Sequence, residues 1–351
     1  MNNKPTVFAD SDGPKSEIAL TPKNQILSPI SSLSFSNSNI ISGNESGCVS
    51  SFDQNKGISL FSYDLHNGPV TSISSVVNNV VITGGFDGKI NAYNFNTNKL
   101  NGTFQENKNA ITQIIYNNPY HVFLSSSLDA TVKVFNIDQN RSLNTIKDIY
   151  PITTFNWINS LCVTGNQNGE IKMYDINTNQ NFYSKKIFGN SKLNSVNNIS
   201  HILIDMESNV IISSSKTEGI LNVIDMRMNQ SIFNSVIHKG SINYIGNDQD
   251  KGIIVTGGSD NIIKVININV GFKEIANMKT SSKITCGDMS NSFVCVGCED
   301  GCLLGYDLRI FKCNFGYNCD EKGKLKCCKI IHNYNKIITG GDEGIVRELI
   351  F

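Results

Sequence analysis

One segment recurs eight times along the chain. It consists of two or three aliphatic residues, Ser/Thr-Gly or a close variant, two variable residues, an acidic or amide residue, Gly in most copies, and an alternating run that ends on a large apolar residue. The copies are Ile41-Ser42-Gly43 to Phe52, Ile82-Thr83-Gly84 to Tyr93, Leu124-Ser125-Ser126 to Phe135, and Val163-Thr164-Gly165 to Tyr174. They continue as Ile212-Ser213-Ser214 to Ile224, Val255-Thr256-Gly257 to Ile266, Val296-Gly297 to Tyr306, and Ile338-Thr339-Gly340 to Leu349. Successive ends lie 41, 42, 39, 50, 42, 40 and 43 residues apart. A period of about 40 residues means supersecondary units in series, each needing its neighbours to bury its apolar face.

Each copy has the grammar of a hairpin. Asp87-Gly88, Asp300-Gly301 and Glu343-Gly344 sit between two apolar strands, where a tight turn needs positive φ. The strand after the turn alternates, as in Lys89-Ile90-Asn91-Ala92-Tyr93 and Thr131-Val132-Lys133-Val134-Phe135, so its aliphatics share one sheet face. A further apolar run lies upstream, such as Val70-Thr71-Ser72-Ile73 or Ile242-Asn243-Tyr244-Ile245, and a fourth lies downstream, such as Leu60-Phe61-Ser62-Tyr63. Four strands per unit, repeated this often, predict an all-β, eight-bladed β-propeller. A ring of this kind leaves no open sheet edge only if it is complete. The last copy stops at Phe351 without an outer strand, so Glu17-Ile18-Ala19-Leu20-Thr21 is expected to supply it and lock the two ends together. Seven blades is the alternative, should the poorly matching unit around Lys216-Thr217-Glu218, inside the longest gap, not form a full sheet. Residues 1–15 read as a flexible tail and 16–351 as one propeller.

The repeat resembles the WD40 family, whose units carry Gly-His near the start and Trp-Asp at the end of the third strand. The likeness spans nearly the whole chain. Its best copies are Leu65-His66-Asn67-Gly68-Pro69-Val70 leading to Asp87 and Tyr93-Asn94, and Ile237-His238-Lys239-Gly240-Ser241-Ile242 leading to Asp260 and Ile266-Asn267. No copy keeps the terminal Trp; Phe, Tyr, Ile or Leu stands there. In the family a His, a Ser/Thr and the turn Asp form a buried network ending on that Trp. The resemblance assigns this role to His66, Thr83 and Asp87, and to His238, Thr256 and Asp260. Without the Trp donor the network is shortened, and looser, less uniform blades are expected.

Composition narrows the function. Lys plus Arg and Asp plus Glu are 30 each, so no bulk field draws the chain to nucleic acid or to an anionic membrane. No run approaches the roughly 18 apolar residues of a membrane helix, and Met1 to Asp10 lacks the basic flank and apolar stretch of a signal peptide. The reading is a cytoplasmic or nuclear protein with 10 reduced Cys. Cys295, Cys298 and Cys302, with Cys313, Cys319, Cys327 and Cys328 after them, fall at strand and turn positions that want small apolar filler, and no metal is assigned. Gly84-Gly85-Phe86-Asp87-Gly88-Lys89-Ile90 is one residue short of a phosphate loop and runs into a strand, so no cofactor is assigned either. The five His are scattered and two already have structural duties, which leaves no catalytic residues to name.

Binding is the remaining use of a rigid disc. In proteins that this chain resembles, partners usually sit on the narrower face, where the residues just before the turn Asp project: Glu45, Phe86, Leu128, Gln167, Thr217, Ser259, Glu299 and Asp342. Phe86 and Leu128, joined by Tyr150 and Tyr244, are the candidate centre of a site for one or more proteins or peptides, because aromatic anchors dominate interface energetics. Lateral packing between blades is the competing role for these side chains. Asp225-Met226-Arg227 and Tyr306-Asp307-Leu308-Arg309 look like the Asp-x-Arg ends of propellers that recruit substrates to cullin-based ubiquitin ligases, which makes Arg227 and Arg309 candidate adaptor contacts on the broader face. The expected function is a non-enzymatic scaffold or adaptor. A ligase substrate receptor is the alternative, and a propeller hydrolase the third reading.

Overall fold

The computed structural model describes residues 13–22, 27–36, 39–75, 80–94, 97–117, 121–139, 141–189, 198–321, 323–331 and 336–351. Most of the tail at 1–15 therefore lies outside the described residues. Among those described there is no α-helix, and the strands assemble into eight four-stranded antiparallel sheets. In blades 1 to 7 the strands follow chain order from the inner to the outer edge: 30–64, 70–104, 111–147, 152–186, 199–236, 242–279 and 284–318. The fifth sheet is complete, with strands Ile199–Asp205, Val210–Ser215, Ile220–Asp225 and Gln230–Val236, which makes the count eight rather than seven.

Blade 8 is made from both ends of the chain. Leu325–Ile331, Lys336–Gly341 and Val346–Ile350 form its first three strands, and Ser16–Leu20 its outer one. That last pair runs antiparallel from Ser16 opposite Ile350 to Leu20 opposite Val346. Every inner strand touches the inner strands of the blades on either side, and the inner strand of blade 1 touches that of blade 8, so the ring is closed.

Apolar side chains bury themselves between blades. Among the described residues eight clusters are present, and each joins two neighbours: Val80, Ile82, Ile90 and Phe104 of blade 2, for example, meet Ile111, Phe123 and Phe135 of blade 3. The Phe104, Phe123 and Phe135 rings lie 5.0–5.3 Å apart, within the range for favourable aromatic pairs. The residues standing where the family has Trp all serve this purpose. Phe52, Tyr93, Phe135, Tyr174, Ile224, Ile266, Tyr306 and Leu349 are each buried against the preceding blade.

The inner strands have one edge facing the central channel, with no further strand to pair. Neighbouring blades supply side chains instead. Each inner strand carries a β-bulge at its second residue, and several bulged residues reach the next blade: Ser31 donates to the Val70 carbonyl at 2.6 Å, Thr153 to Ile199 at 2.7 Å, Ser200 to Ile242 at 3.0 Å and Asn243 to Ile284 at 2.7 Å. Edge amides are met in the same way, with Ile114 donating to Ser72 Oγ at 2.9 Å and Ile330 to Asp288 Oδ2 at 2.8 Å.

Blade 8 breaks this pattern. Its bulged residue is Lys326, whose ammonium lies 2.5 Å from Glu45 of blade 1 and 2.9 Å from Asp342 of its own blade. The seam is also filled by Leu20, 1% exposed, which packs with Ile331, Ile338 and Val346 against Ile30 and Ile40. Leu20→Ala is expected to destabilise the protein by about 2–5 kcal/mol, measured by equilibrium denaturation. A loss below about 0.5 kcal/mol would mean that the closing strand is not part of the cooperative core.

Candidate docking face

Because the strands alternate in direction, the turns between second and third strands and the loops between blades share one face, here the upper face. One backbone contact fixes the start of every such turn. The residue after the second strand donates its N–H to the carbonyl just before the inner strand of the same blade: Glu45 to Pro29, Phe86 to Pro69, Leu128 to Ala110, Gln167 to Pro151, Lys216 to Asn198, Ser259 to Ser241, Glu299 to Lys283 and Asp342 to Lys324, all at 2.8–3.1 Å. In blade 5 the equivalent residue is therefore Lys216 and not Thr217, which is one step further round the turn. Gly88, Gly169, Gly301 and Gly344 take positive φ in these turns, while Ala130 and Asn261 do so at φ 65° and 64° in blades 3 and 6.

Beneath the face lie polar hubs. His66 Nδ1 is 3.1 Å from Asp87 Oδ1 and Nε2 is 2.8 Å from Thr83 Oγ1; His238 is placed likewise, 2.9 Å from Asp260 and 2.9 Å from Thr256. Asp87 also accepts from the backbone of Asn67 at 3.0 Å and Lys89 at 3.1 Å. The hub leaves no room for a side chain at Gly85, where a Cβ would fall 2.3 Å from His66 Nδ1 and 2.5 Å from Asp87 Oδ1. Asn91 was not singled out by the sequence. Its amide donates to the Leu65 carbonyl at 2.7 Å and accepts from Thr103 at 2.7 Å, extending the hub to the outer strand of blade 2.

Other blades fill the hub with different chemistry. In blade 4 the side chain of Asp148 is buried against Lys172 at 2.5 Å and Asn166 at 3.2 Å. In blade 8 Asp320 accepts from the backbone of Gly323 and Glu343, both at 2.9 Å. The shared signals are a polar residue shortly before the inner strand and, in blades 2, 6 and 8, Thr-Gly-Gly.

The proposed contact residues separate into two groups. Phe86 is 60% exposed, Tyr150 is 38% exposed, and Leu128 is half-buried beside them in the chain of upper turns. Tyr244 is a correction. It lies three residues into the inner strand of blade 6, 6% exposed, with its ring in the space left by Gly287 on the adjacent inner strand, so it belongs to the core between blades 6 and 7. Among the polar candidates, Glu45 and Asp342 are bound to Lys326, Glu299 pairs with Lys283 at 3.2 Å, and Ser259 Oγ accepts from Ser241 at 3.0 Å, while Gln167 is half-buried.

Arg227 and Arg309 sit on the opposite, lower face in turns between third and fourth strands. Each guanidinium contacts its own aspartate, Asp225 at 3.0 Å and Asp307 at 2.5 Å, yet the side chains remain 69% and 67% exposed. The thiols show no converging metal-ligand set among the described residues. Cys286 and Cys295 each lie 3.8 Å from Cys328, and burial pushes the Cys319 thiol up to about 12, so Cys319 is held as a neutral thiol.

Burial lowers His66 and His238 below 6.5, with the partner carboxylate offsetting only part of the cost, and lost hydration with the nearby Lys216 pushes His201 down to about 4. Burial alone would raise the Asp87 carboxyl, but the Asn67 and Lys89 amides and His66 together hold it below 3.8. These histidines bind protons more readily in the unfolded chain. Their contribution to stability is therefore complete above pH 6.5 and is lost as pH falls from there toward the lower folded values, reaching about 4 for His201. The melting temperature should drop steadily on acidification through that window, and the double variant His66→Asn/His238→Asn should show a shallower slope. An identical slope would mean that the two hubs do not hold neutral histidine.

Comparison with known proteins agrees with this architecture. Residues 98–136, the outer strand of blade 2 and the first three strands of blade 3, match the family described as WD domain, G-beta repeat. The human protein NEDD1 is 23% identical over 223 residues, covering 62% of this chain and 32% of its own length, so the chain spans about a third of that relative. Among solved structures, the computationally designed Ika8 protein superposes with a TM-score of 0.82 at 21% identity, covering 95% of this chain and 99% of its own. Sqt1 of Saccharomyces cerevisiae gives a TM-score of 0.83 at 14% identity, covering 97% and 99%. Sqt1 of Chaetomium thermophilum bound to the N-terminus of the ribosomal protein L10 gives 0.80 at 14%, covering 92% and 97%.

Proposed function

We propose that this chain, a WD40-repeat β-propeller, is a non-enzymatic docking platform that holds other proteins or peptides on its upper, narrower face. Residues 16–351 form the platform as one unit. The observation that carries the reading is Phe86, a large aromatic residue 60% exposed on a turn that is itself pinned by backbone hydrogen bonds. An aromatic ring on a rigid support offers interface energy with little ordering cost. Tyr150 and Leu128 continue the apolar surface over blades 3 and 4. The structure of Sqt1 with the N-terminus of L10 supports the reading by analogy, as a propeller of the same fold with a bound peptide. No described helix is long and apolar enough to cross a membrane, and we place the protein in the cytoplasm or the nucleus. Affinity purification with mass spectrometry from native cells should identify partners that Phe86→Asp loses while its melting temperature stays within about 2 °C of wild type. Retention of every partner by the folded variant would remove the site.

A second reading has its own observation. Arg227 and Arg309 are fixed in orientation by their aspartates on the lower face and still present most of their surface, which suits an adaptor contact of the ubiquitin-ligase type. If that reading holds, a cullin-ligase adaptor co-purifies with the wild-type chain and is lost from Arg309→Ala. Its absence from both preparations, or its retention by the variant, leaves the platform reading alone.

A further inference from the structure

The upper face has an uneven distribution of open charge that the neutral total conceals. A cleft of about 360 Å³ opens at blade 3, lined among others by Glu106, Lys108, Asp129, Lys133, Lys147 and Asp148. Three carboxylates and three ammonium groups meet there, but their engagement differs. Glu106 accepts from the Ser142 backbone at 2.6 Å and hydroxyl at 2.5 Å, with Lys133 at 3.8 Å. Asp129 accepts from the Lys108 backbone at 2.8 Å and from Thr131 through its N–H at 3.0 Å and its hydroxyl at 2.6 Å. Asp148 is taken by Lys172 and Asn166 beneath the surface. The acids thus accept hydrogen bonds from within the protein, and Glu106 and Asp148 are also paired with lysine, while among the described residues Asp129 meets neutral donors only. Lys108 and Lys147 are exposed, and among the described residues neither takes part in an ion pair.

Apolar surface borders the same cleft. Ile149, 80% exposed, and Tyr150 follow Asp148 directly, and Leu128 precedes Asp129. On the far side of the face, Glu45 and Asp342 are bound to Lys326, Glu299 to Lys283 and Glu343 to Arg347, while Asp300 and Glu321 take part in no ion pair among the described residues. An acidic ligand gains nothing from those two open carboxylates and is directed to Lys108 and Lys147 instead.

We propose that the cleft receives an acidic segment of a partner protein, with an Asp or Glu carboxylate between Lys108 and Lys147 and an adjoining apolar side chain on Ile149 and Tyr150. The assignment rests on the docking reading above and specifies its partner. It is tested by fluorescence anisotropy with a labelled synthetic peptide of alternating glutamate and leucine pairs, beside its lysine counterpart. The glutamate peptide should bind and the lysine peptide should not. Lys108→Glu/Lys147→Glu, at two exposed positions that spare the core, should weaken binding roughly tenfold or more, as should raising salt from about 0.05 M to about 0.5 M. Lys108→Arg/Lys147→Arg should restore it. Equal binding of the two peptides, no binding of the glutamate peptide, or indifference to the charge reversal would overturn the proposal. Native partners separate the two claims: loss with Phe86→Asp but retention with the charge reversal leaves the docking face standing and its acidic partner wrong, whereas retention with both removes both.

Discussion

The pairing of Ser16–Leu20 with Val346–Ile350 is the constraint on which the remaining structure depends. Among the described residues no blade has a core of its own. Each apolar cluster is shared by two blades, so a break at any point exposes two half-clusters and an unpaired strand edge together. The eighth repeat contributes three strands to its blade, and Ser16–Leu20 supplies the fourth. Closure rests on that pairing. It converts a row of weak units into a body stiff enough to hold Phe86 and Tyr150 at fixed positions on its surface.

The seam differs from most of the other interfaces, although Lys329 and Asp288 also form a charged tie between blades 8 and 7, at 3.3 Å. Between most blades, Ser, Thr and Asn side chains tie one inner strand to the next through neutral hydrogen bonds. Between blades 8 and 1 the ties are charged: Lys326 bridges Glu45 and Asp342 above, and Glu348, fully buried, is met by Lys336 at 3.0 Å and by Gln54 at 3.2 Å below. On the outside Arg347 bridges Glu17 of the closing strand, at 2.5 Å, and Glu343, at 2.6 Å. Charged ties are selective about partner and register, since a misaligned strand would strand a buried charge. That property suits the one junction where the two strands are far apart in the chain.

Much of this was legible in the residues. The period and the dangling last repeat led to eight blades and a closing strand, because apolar spacing and edge pairing are local rules applied many times. The upper turns were legible for the same reason, except in blade 5, where Lys216-Thr217-Glu218 lacks the usual acidic-Gly spacing and the turn starts one residue early. Tyr244 was misplaced because nothing within its own strand shows that Gly287, over 40 residues later, leaves space for its ring. Asp148 with Lys172, Asp320 and Asn91 were missed because the hub was sought only where His is present. The two open lysines of the blade 3 cleft, Lys108 and Lys147, were hidden as well: a net charge of zero says nothing about which charges are already engaged.

Native-state hydrogen exchange followed by mass spectrometry tests closure most directly. If the ring is sealed as described, the amides of 16–20 that point toward 346–350 exchange only through global unfolding and share the protection of 346–350. Rapid exchange of those inward amides while the seven other sheets stay protected would contradict the account, since the propeller would then stand without its closing strand.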